Sequence, residues 1–136
     1  MATLTEIRNG IKARLATIEG LTAYAIEPAA PKYPAAWTFP LRANYHADFP
    51  DGTTWAIAVT VAVAAAEIGH AQTNLDPYLA PDGAKSIVAA LEGGPLTVAT
   101  VRVADSVRVV GLTNYFANDI AGGRVVGAQF EVEVFA

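Results

Sequence analysis

Residues 54–66 read TWAIAVTVAVAAA, in which Trp55, Ile57, Val59, Val61 and Val63 alternate with Ala56, Ala58, Thr60, Ala62 and Ala64. A strand turns successive side chains to opposite faces, so this spacing makes one bulky, mostly β-branched face and one nearly smooth face of methyls and a hydroxyl. A solvated antiparallel strand would carry polar residues on one face. This one carries essentially none, which predicts a central strand covered on both sides, its small face open to a helix, a second layer or a second subunit. The apolar run stops at Glu67. At about a dozen residues it is short of the roughly 20 a spanning helix needs, and its period is two, so no membrane span is expected.

Upstream, Asp48-Phe49-Pro50-Asp51-Gly52 has the composition of a reversal, because Asp-Gly tolerates the positive backbone angles of tight turns. It would pair the central strand with an extended stretch over 35–45. There Trp37 and Phe39 share one face, strict alternation puts Arg42 and Asn44 on the other, and Pro40 signals an edge or a bulge. Pro28, Pro31 and Pro34 punctuate the chain before it, after a short strand at 21–26. At the start, Leu4, Ile7, Ile11, Leu15 and Ile18 form a stripe at steps of three and four. Thr3 and Glu6 have capping-box spacing and Gly20 suits a left-handed end, which predicts an amphipathic helix over 4–18. Arg8, Lys12 and Arg14 lie off the stripe, on a solvated face or a basic patch.

Downstream, Asn74 or Asp76 can cap a short helix with Pro77 in its first turn. A second helix is expected to open near Asp82, turn Ala84, Ile87, Val88 and Leu91 inward, and stop at Gly93-Gly94-Pro95. Val101, Val103, Val107 and Val109 share a parity that Asp105 interrupts, which suggests a bulge or break. Val126, Ala128, Phe130, Val132 and Val134 alternate with Gly127, Gln129, Glu131 and Glu133 in a final strand. Between them, 113–124 reads as a long loop, a frequent place for contact surfaces. With no repeat or linker, residues 1–136 form one α+β domain: a mainly antiparallel sheet packed on an N-terminal amphipathic helix and two short helices.

Composition narrows the function. A chain of 136 residues buries about 68% of its unfolded surface, enough for a core without metal or disulfide. Hydrophobic content of 53% against 16% charged residues leaves apolar surface for a partner to cover. No Cys is present, which excludes thiol catalysis and cysteine metal sites. A net charge of −4 disfavours sequence-specific nucleic-acid binding. MATLTEIRNGIKARL has charges at helical spacing and no continuous apolar core, so it is not a secretory signal, and cytoplasmic synthesis is expected.

Catalytic patterns are missing. His46 and His70 are the only imidazoles, without a second histidine at ligand spacing. Asp48 and Asp51 near His46 are explained by the turn. Ser86 and Ser106 are the only serines, and neither lies in a Gly-x-Ser-x-Gly context. No phosphate-binding Gly-x-x-x-x-Gly-Lys occurs, and Gly122-Gly123-Arg124 reads as a loop tip. No catalytic, metal or cofactor-binding residue is assigned, and turnover is not expected.

The order of elements resembles a known family. An amphipathic helix, then Ile26-Glu27-Pro28, an Ala/Val strand, Ala71-Gln72, Leu75-Asp76, Tyr78-Leu79, Gly83, Ser86-Ile87 and Ala90-Leu91, ending in Val126-Gly127-Ala128-Gln129-Phe130-Glu131-Val132-Glu133-Val134, is similar to tail terminator proteins of long-tailed bacteriophages. The resemblance implies a virion protein at the head–tail junction. It would form a hexameric ring on the tail tube, stop tube growth and meet a head connector or head-closure protein, with DNA passing through the ring. No family residue of known role maps onto this chain by motif. From the residues themselves, aromatic side chains outside the core are favoured anchors, which selects Tyr33, Trp37, Tyr45, Phe49, Tyr115 and Phe116. Arg102, Arg108 and Arg124 are candidates to pair with Glu131 and Glu133 between subunits. Two alternatives remain: another neck component, and a small α+β ligand-binding domain, which predicts an apolar pocket with convergent polar groups.

Overall fold

Thr3 opens the first helix, α1 (Leu4–Leu15), its hydroxyl accepting the Glu6 N–H at 3.2 Å. The computed structural model describes residues 3–26, 29, 32–45, 53–65, 68–93, 96–98, 101–104, 106–120 and 123–135. Helix α1 ends three residues before the expected 18, in a turn closed by Ile18 N–H to Leu15 O at 3.1 Å. Ile18 is buried all the same, and Gly20 takes the left-handed conformation at φ 85.

Strands β1 (Thr22–Ala23), β2 (Ala35–Tyr45) and β3 (Thr53–Ala65) follow. Then come α2 (Ile68–Leu79), α3 (Ile87–Glu92), β4 (Leu96–Val98), β5 (Val101–Ala104), β6 (Ser106–Ile120) and β7 (Gly123–Phe135). The main sheet has the order β1-β2-β3-β7-β6, and β4 and β5 form a separate ribbon. Only the short β1–β2 pairing is parallel; the long strands are antiparallel throughout. The fold is therefore the expected single small α+β domain.

The TWAIAV run sits at the centre of that sheet. Ile57, Val59, Val61 and Val63 join one buried cluster with Val126, Phe130 and Val132 of β7, Ile7, Ile11 and Leu15 of α1, Leu75 and Tyr78 of α2, and Ile87 and Leu91 of α3. At about 25 cal/mol per Å² of apolar area, each fully buried side chain of this kind contributes roughly 1.5–3 kcal/mol. All three helices thus deliver their apolar sides to one face of the sheet. The even-numbered face of β3 has no share in that cluster.

Several expectations are corrected. Helix α2 begins at Ile68, well before Asn74, and Pro77 lies in its last turn, where the missing donor costs one late bond. Helix α3 opens at Ile87 with Ser86 as N-cap, leaving Ala84 exposed and outside it. The supposed loop 113–124 is mostly strand: β6 runs to Ile120 and β7 resumes at Gly123. Register shifts at Val109/Gly111 and Leu112/Asn114 explain the misreading, since each bulge resets the alternation. A third shift, between Pro40 and Arg42, returns Arg42 to the face of Trp37 and Phe39 rather than the opposite one. Strand β5 ends at Ala104 and β6 begins at Ser106; Asp105, the place of the expected bulge or break, lies outside the described residues. The reversal at 46–52 lies outside the described residues.

Candidate assembly surface

The sheet face away from the helices is built by cross-strand pairing. Ala58 pairs with Phe39 of β2 and Glu131 of β7, Thr60 with Trp37 and Gln129, and Ala62 with Ala35 and Gly127. Ala56, Ala58, Thr60 and Ala62 are at most 5% exposed, yet no described helix joins them. Trp37, Phe39, Gln129 and Glu131 flank Ala58 and Thr60, while Ala62 lies between Ala35 and Gly127. At one end, Gly127 makes room for the ring of Phe116 on β6: a Cβ built on it would stand 2.4 Å from Phe116 Cζ and 2.8 Å from Val61 O.

The outer strands differ from the centre. Large apolar side chains that are exposed among the described residues are Ile26, Phe39, Leu41, Val110, Leu112 and Tyr115. Five of these six lie on β2 or β6, the outermost long strands on opposite sides of the sheet. Each strand is closed along only one half. On β2, β1 pairs at Ala35 and Ala36, and the Thr38 hydroxyl donates to Ala25 O at 2.6 Å. No described element pairs with β2 beyond that point. On β6, the Val109 N–H donates to the Glu92 carboxylate at 2.8 Å, which caps the edge where α3 passes it. From Val110 onward, no described strand pairs with the outer side of β6.

Charges on the open face are matched within the chain. Arg42 reaches Glu131 at 3.6 Å and Arg108 reaches Glu133 at 3.9 Å. Both arginines are more than half exposed, so each pair contributes well under about 1 kcal/mol. Tyr115 is raised above its ordinary phenolic pKa by partial burial and, secondarily, by Asp76 of α2.

A cleft of about 350 Å³ lies between α2 and the end of β3, lined by Tyr33, Val63, Asn74, Pro77, Tyr78 and Lys85 among others. Lys85 Nζ stands 5.8 Å from the Tyr78 ring centroid, within cation–π range. Burial raises the pKa of both Tyr33 and Tyr78, which keeps these phenols neutral. The Ser86 hydroxyl is committed to capping, donating to Ala80 O at 2.6 Å and accepting from the Ala89 N–H at 3.0 Å. Among the described residues no three His, Cys, Asp or Glu side chains group to hold a metal. No described helix is long and apolar enough to cross a membrane. His46, Asp48 and Asp51 lie outside the described residues.

The residues expected at an interface are dispersed. Trp37 lies on β2, and Arg108, Tyr115 and Phe116 lie on β6. Tyr115 and Phe116 point to opposite faces, paired with Ala128 and Gly127. Tyr33 lines the cleft instead. Glu131 and Glu133 occupy the open face, each already beside an arginine of its own chain. Tyr45, Arg102 and Arg124 end β2, sit in β5 and start β7, with side chains outside the description; Phe49 is outside it altogether. The sequence reading missed Phe39, Leu41, Val110 and Leu112 as surface anchors. A signal was present, since Pro40-Leu41 and Val109-Val110-Gly111 both interrupt strict alternation where a bulge turns an apolar side chain outward.

These features define a class: one sheet layer backed by helices on a single side, with two half-open edges. No known protein family matches the chain, and no curated protein does. Among solved structures, a chain described as "Virion of native gene transfer agent (GTA) particle" is similar at 15% identity and a TM-score of 0.48, over 99% of this chain and 96% of that one.

Proposed function

We propose that the protein is a phage tail terminator, a structural virion protein that forms a ring on the end of the tail tube and joins it to the head connector or head-closure protein. The observation that supports this reading is the placement of exposed apolar side chains on two different outer strands, Phe39 and Leu41 on β2 and Val110, Leu112 and Tyr115 on β6. Two unlike patches on opposite sides of one domain suit head-to-tail contacts, which close into rings; one self-complementary patch would suit a two-fold dimer. The order of sequence motifs supplies the phage context and the expectation of six subunits. Trp37, Arg108, Tyr115 and Phe116 belong to the surface we infer, and function is assembly without turnover. The ring admits DNA without reading its sequence.

The test is light scattering over a range of concentrations, with capping of purified tail tubes and rescue of a terminator-deficient phage. A closed multi-subunit species that caps tubes is expected, and Leu112→Ser with Tyr115→Ser should leave secondary structure intact while abolishing both. A protein that stays monomeric and binds no tube refutes the reading. A ring that binds head connectors and ignores tubes assigns it to another neck component. A monomer whose melting temperature rises with a small compound at the Tyr78–Lys85 cleft favours the ligand-binding alternative.

A further inference from the structure

The geometry points to a specific joint, which rests on the ring reading above: the open half of β2 in one copy pairs as an antiparallel strand with the open half of β6 in the next. An unpaired strand edge carries a row of free N–H and C=O groups and is a template for another strand. Three observations select a second copy as the occupant.

The first is direction. From β2 through β3 and β7 to β6 each pairing is antiparallel, so β2 and β6 run in opposite senses. A copy related by rotation about a ring axis brings its β2 against β6 with that alternation unbroken.

The second is that the closed halves lie at different levels of the sheet. The closed half of β2 is Ala35 to Thr38, and β6 is capped at Val109. The remaining stretches, 39–45 and 110–120, also carry five of the six large exposed apolar side chains among the described residues.

The third is stagger. With β7 as ruler, Arg42 is level with Glu133 through Ala56, whereas Asn114 and Phe116 are level with Gln129 and Gly127. Joining the open halves slides one copy along the strands. Only even shifts keep like faces together, because a one-residue slip turns every side chain over. Shifts of four or six residues are roughly 13 or 20 Å at about 3.3 Å per residue. The four long strands of one copy are roughly 19 Å wide at about 4.8 Å each. The ratio of slide to width requires strands inclined by about 35° or about 46° to the ring axis, at the two limits of the 35–45° typical of closed barrels. The smaller shift sets Ala43 opposite Leu112 but brings Ala35 and Ala36, whose outer side β1 occupies, opposite Ile120 and Asp119. The larger sets Ala43 opposite Tyr115 and Arg42 opposite Phe116 and carries Ala35 and Ala36 past the end of β6, so it is the favoured register.

The chain has no cysteine, so cross-linking reads the register directly. Ala43→Cys is combined with Leu112→Cys or with Tyr115→Cys, and the assembled protein is treated with a mild oxidant. One double variant should give a ladder of disulfide-linked multimers ending at the ring mass, with each single variant unlinked and melting near the wild type. Efficient dimers from the Leu112→Cys or Tyr115→Cys single variant would show β6 pairing with its own copy and overturn the joint. A ring seen by light scattering with neither double variant cross-linked would also overturn the joint and leave the ring reading standing. A wild type that neither assembles nor caps tubes removes the ring reading itself.

Discussion

Replacing Gly127 by Ala tests the packing of the open face at its tightest point. The added methyl would lie 2.4 Å from Phe116 Cζ and 2.8 Å from Val61 O. The phenyl ring can swing away, but the Val61 carbonyl belongs to the central strand and cannot move without disturbing the β3–β7 ladder. Overpacking of this kind costs about 1–3 kcal/mol. Exchanging Gly for Ala in a strand returns about 0.5 kcal/mol through reduced chain entropy, leaving a net loss near 1.5 kcal/mol. At about 2.1 cal/mol/K per residue, unfolding 136 residues carries roughly 0.29 kcal/mol/K, so Tm should fall by about 5 °C. Urea unfolding and calorimetry measure this. In a Phe116→Ala background only the carbonyl contact remains, and the cost of Gly127→Ala should drop by about half, a coupling that a double-mutant cycle resolves. A Gly127→Ala protein as stable as the wild type would refute the seating of Phe116 on Gly127.

Val61→Asp should give no cooperatively folded soluble protein, since the carboxylate would be buried without a partner among Ile7, Val59 and Val126; a normal thermal transition would contradict the central placement of β3. Ser86→Ala should cost about 2 kcal/mol, because it frees both the Ala89 N–H and the Ala80 carbonyl, and a change in urea midpoint at constant slope would measure it. Tyr33, Tyr78 and Tyr115 have folded pKa values raised from 10.0, so their contribution is fully present below pH 10 and lost as pH rises through the folded values. Tm should stay level for these groups to about pH 9 and decline above about pH 10, with phenolate absorbance lagging that of the unfolded chain. A phenolate titration identical in the folded and unfolded chain would refute the burial argument.

The legible parts of the fold were those where one period ran unbroken. Ile57 to Val63 and Val126 to Val134 alternate without interruption, and both lie in the buried cluster. Leu4 to Ile18 kept its helical stripe, although the last turn closes early. Reading failed where geometry reset the count. At Leu41, Val110 and Thr113 a bulge inserts one residue, so β6 loses its alternation and Asn114-Tyr115-Phe116-Ala117-Asn118-Asp119 looks like a loop. Polar residues survive there because β6 is an outer strand with water on one side. Helix α2 was misplaced because Pro77 is acceptable in a first turn, but here Leu75 and Tyr78 bury three residues apart on a helix already under way. The assembly surface was legible as aromatic excess but not as position, because an edge exists only once the strand order is known.

The sheltered small face of β3 also sets where the molecule opens. Its backbone is laddered to β2 on one side and β7 on the other, and Ala56, Ala58 and Ala62 are buried. Deuterium should enter β3 only through unfolding of the whole domain, while 39–45 and 110–120 exchange by fraying at far lower free energy. The domain combines a slow-exchanging spine with two fast-exchanging margins, so a neighbour docking at those margins would register as slowed exchange there and nowhere else.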